Sequence, residues 1–162
     1  MKTLFLVRHA KSSWGDPQLG DKERSLNDRG RRDAKKMSLI VAKRHVRPDA
    51  ILSSPAVRAR TTAETFAEAL GSAARDIALM DRLYAASEAT VLEVIQSLSD
   101  RVKTAMVFGH NPGFTDLANR LWPGIGEMPT CAVLELAFNM KSWSAIGTVP
   151  PTSVMLDSPK RP

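Results

Sequence analysis

The first apolar stretch of the chain reads Leu4-Phe5-Leu6-Val7-Arg8-His9. Four apolar residues followed at once by polar ones are typical of a short β-strand that is buried on both faces of a sheet. Three later segments have the same character, so they are also predicted as core strands: residues 50–52, 77–80 and 105–108.

A helical pattern follows each of these strands. Apolar residues recur there at every third or fourth position, which places them on one face of a helix. Two helices are expected to start at N-cap residues followed by proline, namely Ser54-Pro55 and Asn111-Pro112. Gly71 and Pro123 are expected to end the second and fourth helices.

This alternation of strands and helices defines the fold class. Crossover connections place helices on both faces of a largely parallel sheet. We therefore predict an α/β fold, a three-layer sandwich with a mostly parallel central sheet flanked by helices. Residues 132–138 and 143–146 are predicted to form a terminal hairpin or edge pair.

The chain of 162 residues is expected to form a single domain over residues 1–149. Residues 150–162 contain several prolines and are predicted to be a C-terminal tail that runs extended over the surface. Residues 11–27 form a long polar segment, and such loops are usually functional or disordered. We expect this loop to border the active site.

A net charge of +6 is compatible with binding to nucleic acid, to an anionic surface or to an anionic substrate. The distribution of the cations along the chain distinguishes these possibilities. No aromatic residue lies among the clustered cations, which makes a nucleic-acid surface a poor fit and favours a solvated helix face. These cations are interspersed with the apolar positions of one predicted helix: Arg29, Arg31, Arg32, Lys35, Lys36, Lys43 and Arg44.

Membrane insertion and secretion are also disfavoured. No apolar run approaches the roughly 18 residues that a membrane-spanning helix needs. The single cysteine, Cys131, has no intramolecular partner and lies beside an apolar run, as expected of a buried thiol. A reducing cytoplasm is the predicted location.

Reactive side chains follow the predicted strands at their carboxyl ends, where ligands bind in open parallel sheets. Arg8 and His9 follow the first strand, and Arg58 lies near the start of the helix after the second. Asp81 ends the third strand, and His110 follows the fourth. These separate segments are expected to converge on one crevice.

The crevice has the chemistry of a phosphate pocket. Guanidinium groups pair with phosphate oxygens, while imidazoles donate hydrogen bonds or attack phosphorus. Arg58 lies near a helix N-terminus, where the helix dipole disfavours an unpaired cation and favours an anion held beside it. The predicted phosphate-binding residues are Arg8, His9, Arg58 and His110.

Other readings of these residues fit less well. Arg8 would repel a metal ion bound by His9 and His110, and no cysteine or compact carboxylate cluster completes a ligand set. The serines lack a Gly-x-Ser-x-Gly elbow, and no Walker-type or dinucleotide-binding glycine loop occurs. His45 is expected to be a solvated cation at a helix end. Neither a metal nor a cofactor is expected.

Three motifs resemble those of the histidine phosphatase, or phosphoglycerate mutase-like, superfamily. They occur in the family's order: Leu6-Val7-Arg8-His9-Ala10-Lys11-Ser12, Ser53-Ser54-Pro55-Ala56-Val57-Arg58-Ala59 and Gly109-His110-Asn111-Pro112. The usual Arg-His-Gly is here Arg-His-Ala. Together with the segment 21–30, these motifs resemble the SixA-type phosphohistidine phosphatase branch over about residues 2–122.

The resemblance implies a role for each matching residue. His9 would be the nucleophile, Arg8 and Arg58 would clamp the phosphoryl oxygens, and His110 would stabilise the transition state. Neighbouring positive charge favours the neutral imidazole that attack requires. Larger family members protonate the leaving oxygen with a carboxylate after the third strand, for which Asp81 is the nearest candidate. Its alternative role is an ion pair with Arg82, Arg24 or another cation.

The sequence thus predicts a metal-independent phosphatase that acts through a phosphohistidine intermediate on His9. Protein phosphohistidine is the favoured substrate, because 162 residues leave little room for a cap over the site. A small phosphate ester or a sugar-phosphate mutase reaction is the enzymatic alternative. A non-catalytic module that binds a phosphorylated ligand is the alternative from another class.

Overall fold

A computed structural model describes residues 1–160. Its centre is one six-stranded sheet in the order β3-β2-β4-β1-β5-β6. Strands β1 to β4 pair in parallel, and β5 pairs antiparallel with both β1 and β6. The strands are β1 Lys2–Arg8, β2 Ala50–Ser53, β3 Ile77–Leu79, β4 Thr104–Gly109, β5 Val133–Phe138 and β6 Ser153–Asp157.

Helices cover both faces of this sheet, which confirms the predicted three-layer α/β fold. Helices α1 and α2 contact one another, as do α3 and α4. No helix within residues 1–160 has the length and apolarity required to cross a membrane. The helices are α1 Asp28–Ala42, α2 Val57–Ala69, α3 Glu88–Gln96 and α4 Gly113–Leu121, with 3-10 turns at Asp21–Glu23, Ala74–Asp76, Asp81–Leu83 and Trp143–Ala145.

Strand β1 supplies apolar side chains to both layers of the core. Leu4 and Leu6 pack with residues of α3 and α4, while Phe5 and Val7 pack with residues of α1 and α2. Successive side chains of a strand point to opposite faces, so a continuous apolar run is what two covered faces require. The apolar run that begins at Leu4 therefore identifies the centre of the sandwich.

The predicted start of the second helix is corrected by the structure. Helix α2 begins at Val57, with Ala56 at the N-cap position. The Ser54 hydroxyl instead accepts a hydrogen bond from the Ala56 N–H at 3.2 Å and lies 2.7 Å from His110 Nε2. Ser54 thus belongs to the turn before the helix, where its hydroxyl also reaches a neighbouring strand end.

The other helix boundaries are closer to expectation. Helix α4 begins at Gly113, and Asn111 supports its first turn by accepting from the Thr115 N–H at 3.1 Å. Gly71 follows α2 with φ of 79°, a left-handed conformation that suits glycine at a helix end.

The predicted C-terminal hairpin is wrong in its second strand. Trp143 lies in a 3-10 turn, fully buried, and its Nε1–H donates to the Val102 carbonyl at 2.7 Å. On the side of β5 away from β1, the pairing strand is β6, which lies in the segment predicted as a tail. The chain there is extended, but backbone pairing makes it an edge strand of the same sheet, so the boundary at residue 149 is corrected. Residues 161–162 of that predicted tail lie outside the described residues.

A close backbone contact joins α1 to the loop after β1. A Cβ atom added to Gly30 would lie 2.0 Å from the Lys11 carbonyl oxygen. The same oxygen accepts from the Asn27 N–H at 3.0 Å, and the Asn27 side chain accepts from the Gly30 N–H at 2.8 Å. The absence of a side chain at Gly30 therefore allows the loop after β1 to pass this close to α1.

We expect Gly30→Ala to lower the free energy of unfolding by about 1–3 kcal/mol, because the new methyl group overlaps a backbone carbonyl. This steric cost opposes the gain of about 1 kcal/mol that alanine has over glycine inside a helix. Lys35→Ala, at an exposed position of the same helix, should change the free energy of unfolding by less than about 0.5 kcal/mol. Urea unfolding followed by circular dichroism measures both, and a Gly30→Ala protein as stable as wild type would contradict the contact.

Candidate active site

Two parallel strands bring the histidines together. In the pairing of β1 with β4, Arg8 lies opposite Gly109, so each strand is followed directly by a histidine. The His9 N–H donates to the Gly109 carbonyl at 3.0 Å, and the His9 carbonyl accepts from Cys131 N–H at 3.0 Å. The two imidazole ring centroids are 5.2 Å apart.

These strand ends open into a cavity of about 340 Å³. The structure brings four of the five predicted site residues into its wall, and Asp81 is not among them. The loop 11–27 also contributes, as the sequence predicted. The lining residues are Arg8, His9, Lys11, Ser12, Trp14, Arg24, Arg58, His110, Asn111 and Thr130.

The backbone fixes the orientation of the His9 ring. His9 is 8% exposed, and its Nδ1 lies 2.8 Å from the Ala10 carbonyl oxygen. A carbonyl oxygen only accepts, so in the neutral ring Nδ1 carries the hydrogen and Nε2 keeps its lone pair. Burial lowers the pKa of His9 to about 3, outweighing the hydrogen bond to Ala10, and the charges of Arg58 and Arg8 add to the lowering. His9 is therefore neutral at pH 7.

His110 is held in a similar state from the neighbouring strand. Its Nε2 lies 2.7 Å from the Ser54 hydroxyl, and the Tyr84 ring packs edge-on at a centroid distance of 5.6 Å. Burial lowers the pKa of His110 to about 4; the Arg58 charge lowers it further, and the Asp21 charge opposes this. A second neutral imidazole thus lies beside the first.

The Arg58 guanidinium is positioned by Asp21, a residue that the motif analysis did not single out. One terminal nitrogen of Arg58 donates to the Asp21 carbonyl at 2.7 Å, and the other donates to Asp21 Oδ2 at 3.0 Å. The Tyr84 hydroxyl donates to the same Oδ2, and Arg24 Nε donates to Oδ1 at 3.2 Å. The hydrogen bond from Tyr84, followed by that from Arg58, lowers the pKa of Asp21 to about 2, so it is an ionised carboxylate.

Several buried nitrogens of the site have no hydrogen-bond acceptor in the described part of the chain. Arg8 donates through one terminal nitrogen to the Met128 carbonyl at 3.0 Å, and its burial lowers its pKa. Its Nε, together with Arg58 Nε and Arg24 Nη1, is buried without a hydrogen-bond partner within residues 1–160. Buried donors are nearly always paired, because leaving one unpaired costs about 1–3 kcal/mol. All three side chains line the cavity, whose wall therefore carries a concentration of positive charge that suits an anion.

Asp81 is separated from these residues by its local structure. It begins the 3-10 turn Asp81–Leu83 with an exposed side chain. The ion pairs expected as its alternative role are also made elsewhere, since Arg82 pairs with Glu93 and Arg24 pairs with Asp21. In the described part of the chain, no group of three or more His, Cys, Asp or Glu side chains is placed to hold a metal ion.

Comparison with solved structures gives the same architecture. A proposed SixA phosphohistidine phosphatase from Agrobacterium tumefaciens superposes with a TM-score of 0.77 at 31% identity, over 83% of this chain and 90% of that one. The protein histidine phosphatase SixA in complex with tungstate has a TM-score of 0.80 over 98% and 97% of the two chains. Its identity is 22%, so that likeness concerns the fold.

Sequence comparison extends the relationship beyond the fold. An uncharacterized chloroplastic protein of Arabidopsis thaliana is 33% identical over 151 residues, which cover 88% of this chain and 69% of that protein. An uncharacterized protein of Mycobacterium tuberculosis is 38% identical over 113 residues, which cover 69% and 67% of the two chains. The model of the histidine phosphatase superfamily (branch 1) matches residues 4–128, and the chain therefore belongs to that superfamily.

Proposed function

We propose that this protein is a phosphatase in which His9 Nε2 attacks the phosphorus atom, with protein phosphohistidine as the favoured substrate. The observation that carries the proposal is the hydrogen bond from His9 Nδ1 to the Ala10 carbonyl. It leaves the lone pair on Nε2 in a ring that burial keeps neutral. A neutral, oriented imidazole beside unpaired arginine donors is what a phosphoryl-transfer nucleophile requires.

The reaction takes two displacements at phosphorus. In the first, the Nε2 lone pair of His9 forms a bond to phosphorus while the bond to the leaving group breaks. Arg8, Arg58 and His110 surround the site where the equatorial oxygens gather negative charge. In the second, water attacks phosphorus, its protons pass to solvent and phosphate, and the phosphorus–Nε2 bond breaks to regenerate neutral His9. Fixed cationic groups supply the charge stabilisation, so independence from metals is part of the proposal.

The choice of substrate follows from what the cavity lacks within residues 1–160. Among residues 1–160 no Asp or Glu lines the cavity, and the adjacent Asp21 is ionised, so the cavity wall offers no carboxylic acid to protonate a leaving alkoxide. A phosphohistidine that is already protonated on its ring leaves as neutral imidazole and needs no such acid. This chemistry favours phosphohistidine over alkyl phosphate esters.

The similarity to solved phosphatases supports the same order of preference. The Agrobacterium protein described as a SixA phosphohistidine phosphatase is 31% identical, whereas a mycobacterial glucosyl-3-phosphoglycerate phosphatase shares the fold at 19% identity with a TM-score of 0.65. A small phosphate ester is therefore the second candidate. The oriented nucleophile argues against a module that only binds phosphate, because binding alone needs no nucleophile. The cytoplasmic location stays a prediction that is based on the single cysteine.

We expect His9→Ala to lower kcat at least about 10³-fold, because loss of a nucleophile removes the covalent route. The measurement is release of phosphate from a phosphohistidine protein, with circular dichroism and urea unfolding to verify the fold. His45→Ala is the matched control, since His45 is an exposed histidine outside the cavity, and it should retain wild-type activity. Full activity in a folded His9→Ala protein would disprove the nucleophile assignment.

A second test compares leaving groups. We expect Asp81→Asn to change the hydrolysis of phosphohistidine, p-nitrophenyl phosphate and an alkyl phosphate by less than about twofold each, because its exposed side chain does not line the cavity. Loss of a general acid would instead slow the alkyl phosphate by roughly 10²–10⁴-fold and spare the other two. Wild-type kcat/KM should follow the leaving group, with phosphohistidine well above the alkyl ester. A selective loss on the alkyl ester would restore Asp81 as the acid.

A further inference from the structure

A second cleft of about 310 Å³ adjoins the catalytic cavity. The two share Arg8, Lys11 and Thr130 in their walls. We call it the basic cleft and define it by Arg8, Lys11, Arg29, Glu127, Thr130 and Lys160. The basic cleft therefore lies directly beside the catalytic cavity, with Arg8 in the wall of both.

The basic cleft carries an excess of positive charge. Four of its six defining side chains are cations, and Glu127 is the acidic one. Arg29 forms an ion pair with Asp33 through Nε at 3.5 Å, and its side chain stays about half exposed. Arg29 also lies in the first turn of α1, where the helix dipole favours an anion. A cleft with an excess of positive charge raises the local concentration of anionic ligands.

The fold holds the two ends of the basic cleft together. Lys36, on α1, donates from Nζ to the Pro159 carbonyl at 2.7 Å, which ties the chain after β6 to the helix that carries Arg29. Ser158 is buried at 6% exposure, so the backbone leading to Lys160 is seated against the domain. Arg29 and Lys160 are about 130 residues apart in sequence, yet both line this cleft. The edge strand β6 leads the chain to Lys160, so the fold itself places the two cations together.

We propose that the basic cleft binds a second anionic group of the same substrate, namely an acidic side chain close to the phosphohistidine on the partner protein. The proposal rests on the proposed function for the identity of the substrate. Carboxylates match the guanidinium and ammonium groups that line the cleft. The shared wall at Arg8 requires that this side chain be near the phosphorylated residue, so the cleft selects by local context.

The test uses two phosphohistidine peptides that differ only in glutamate or glutamine at the positions flanking the phosphorylated residue. Dissociation constants are measured by calorimetry on the full chain carrying His9→Ala, which does not consume the peptides. Adding Arg29→Ala and Lys160→Ala should weaken binding of the glutamate peptide about fivefold or more and that of the glutamine peptide by less than about twofold. The control pair Arg32→Ala and Lys43→Ala removes the same charge from two exposed positions outside the cleft, one on α1 and one directly after it, and should weaken neither peptide more than about twofold.

Turnover of the same peptides by the chain with His9 intact separates the two proposals. Failure to release phosphate from either peptide would disprove the proposed function, while the dissociation constants would still decide on the basic cleft. Three results would each overturn the assignment of the cleft. The cleft substitutions could weaken binding of both peptides equally, the control pair could weaken the glutamate peptide as much as the cleft substitutions do, or the peptides could show no measurable binding. Selective weakening of the glutamate peptide supports it.

Discussion

The hydrogen bond between His9 Nδ1 and the Ala10 carbonyl is the interaction on which the chemistry of this site depends. It determines which nitrogen of the neutral ring keeps a lone pair, and burial at the end of β1 keeps the ring neutral. Both conditions follow from the sheet, because the His9 backbone continues the pairing of β1 by bonding to Gly109 and Cys131. The nucleophile is therefore part of the rigid core, and its orientation is set before substrate binds.

The surrounding charges complete this arrangement without contributing an acid. Asp21 positions Arg58 through two hydrogen bonds, and Arg24 and Tyr84 hold Asp21 in turn. The carboxylate stays ionised, so it orients a cation and has no proton to donate. The same geometry that fits the phosphoryl group thus restricts the leaving groups that the proposed reaction accepts. Preorganised donors of this kind stabilise developing charge without reorganising during the reaction.

The sequence predicts the residues that follow regular strands and is less informative about those that loops deliver. His9 and His110 could be placed together because the carboxyl ends of parallel strands share one edge. The motifs do not identify Asp21 and Tyr84, because the contact of Asp21 with Arg58 and that of Tyr84 with Asp21 depend on the path of the loop 11–27 and of a 3-10 turn. The end of the third strand predicts Asp81 in the crevice, but the 3-10 turn that Asp81 begins exposes its side chain. The sequence around β6 predicts a tail because prolines flank it, whereas its place in the sheet depends on pairing with β5, a contact between distant segments.

The most direct test of the central claim is to identify which nitrogen of His9 carries the phosphoryl group. The phosphoenzyme would be trapped by rapid quenching into base, where phosphohistidine survives, and then assigned by mass spectrometry and by ³¹P and ¹⁵N nuclear magnetic resonance. We expect phosphorylation on Nε2 of His9, since Nδ1 is committed to the Ala10 carbonyl. Phosphorylation on Nδ1, or on a residue other than His9, would contradict it.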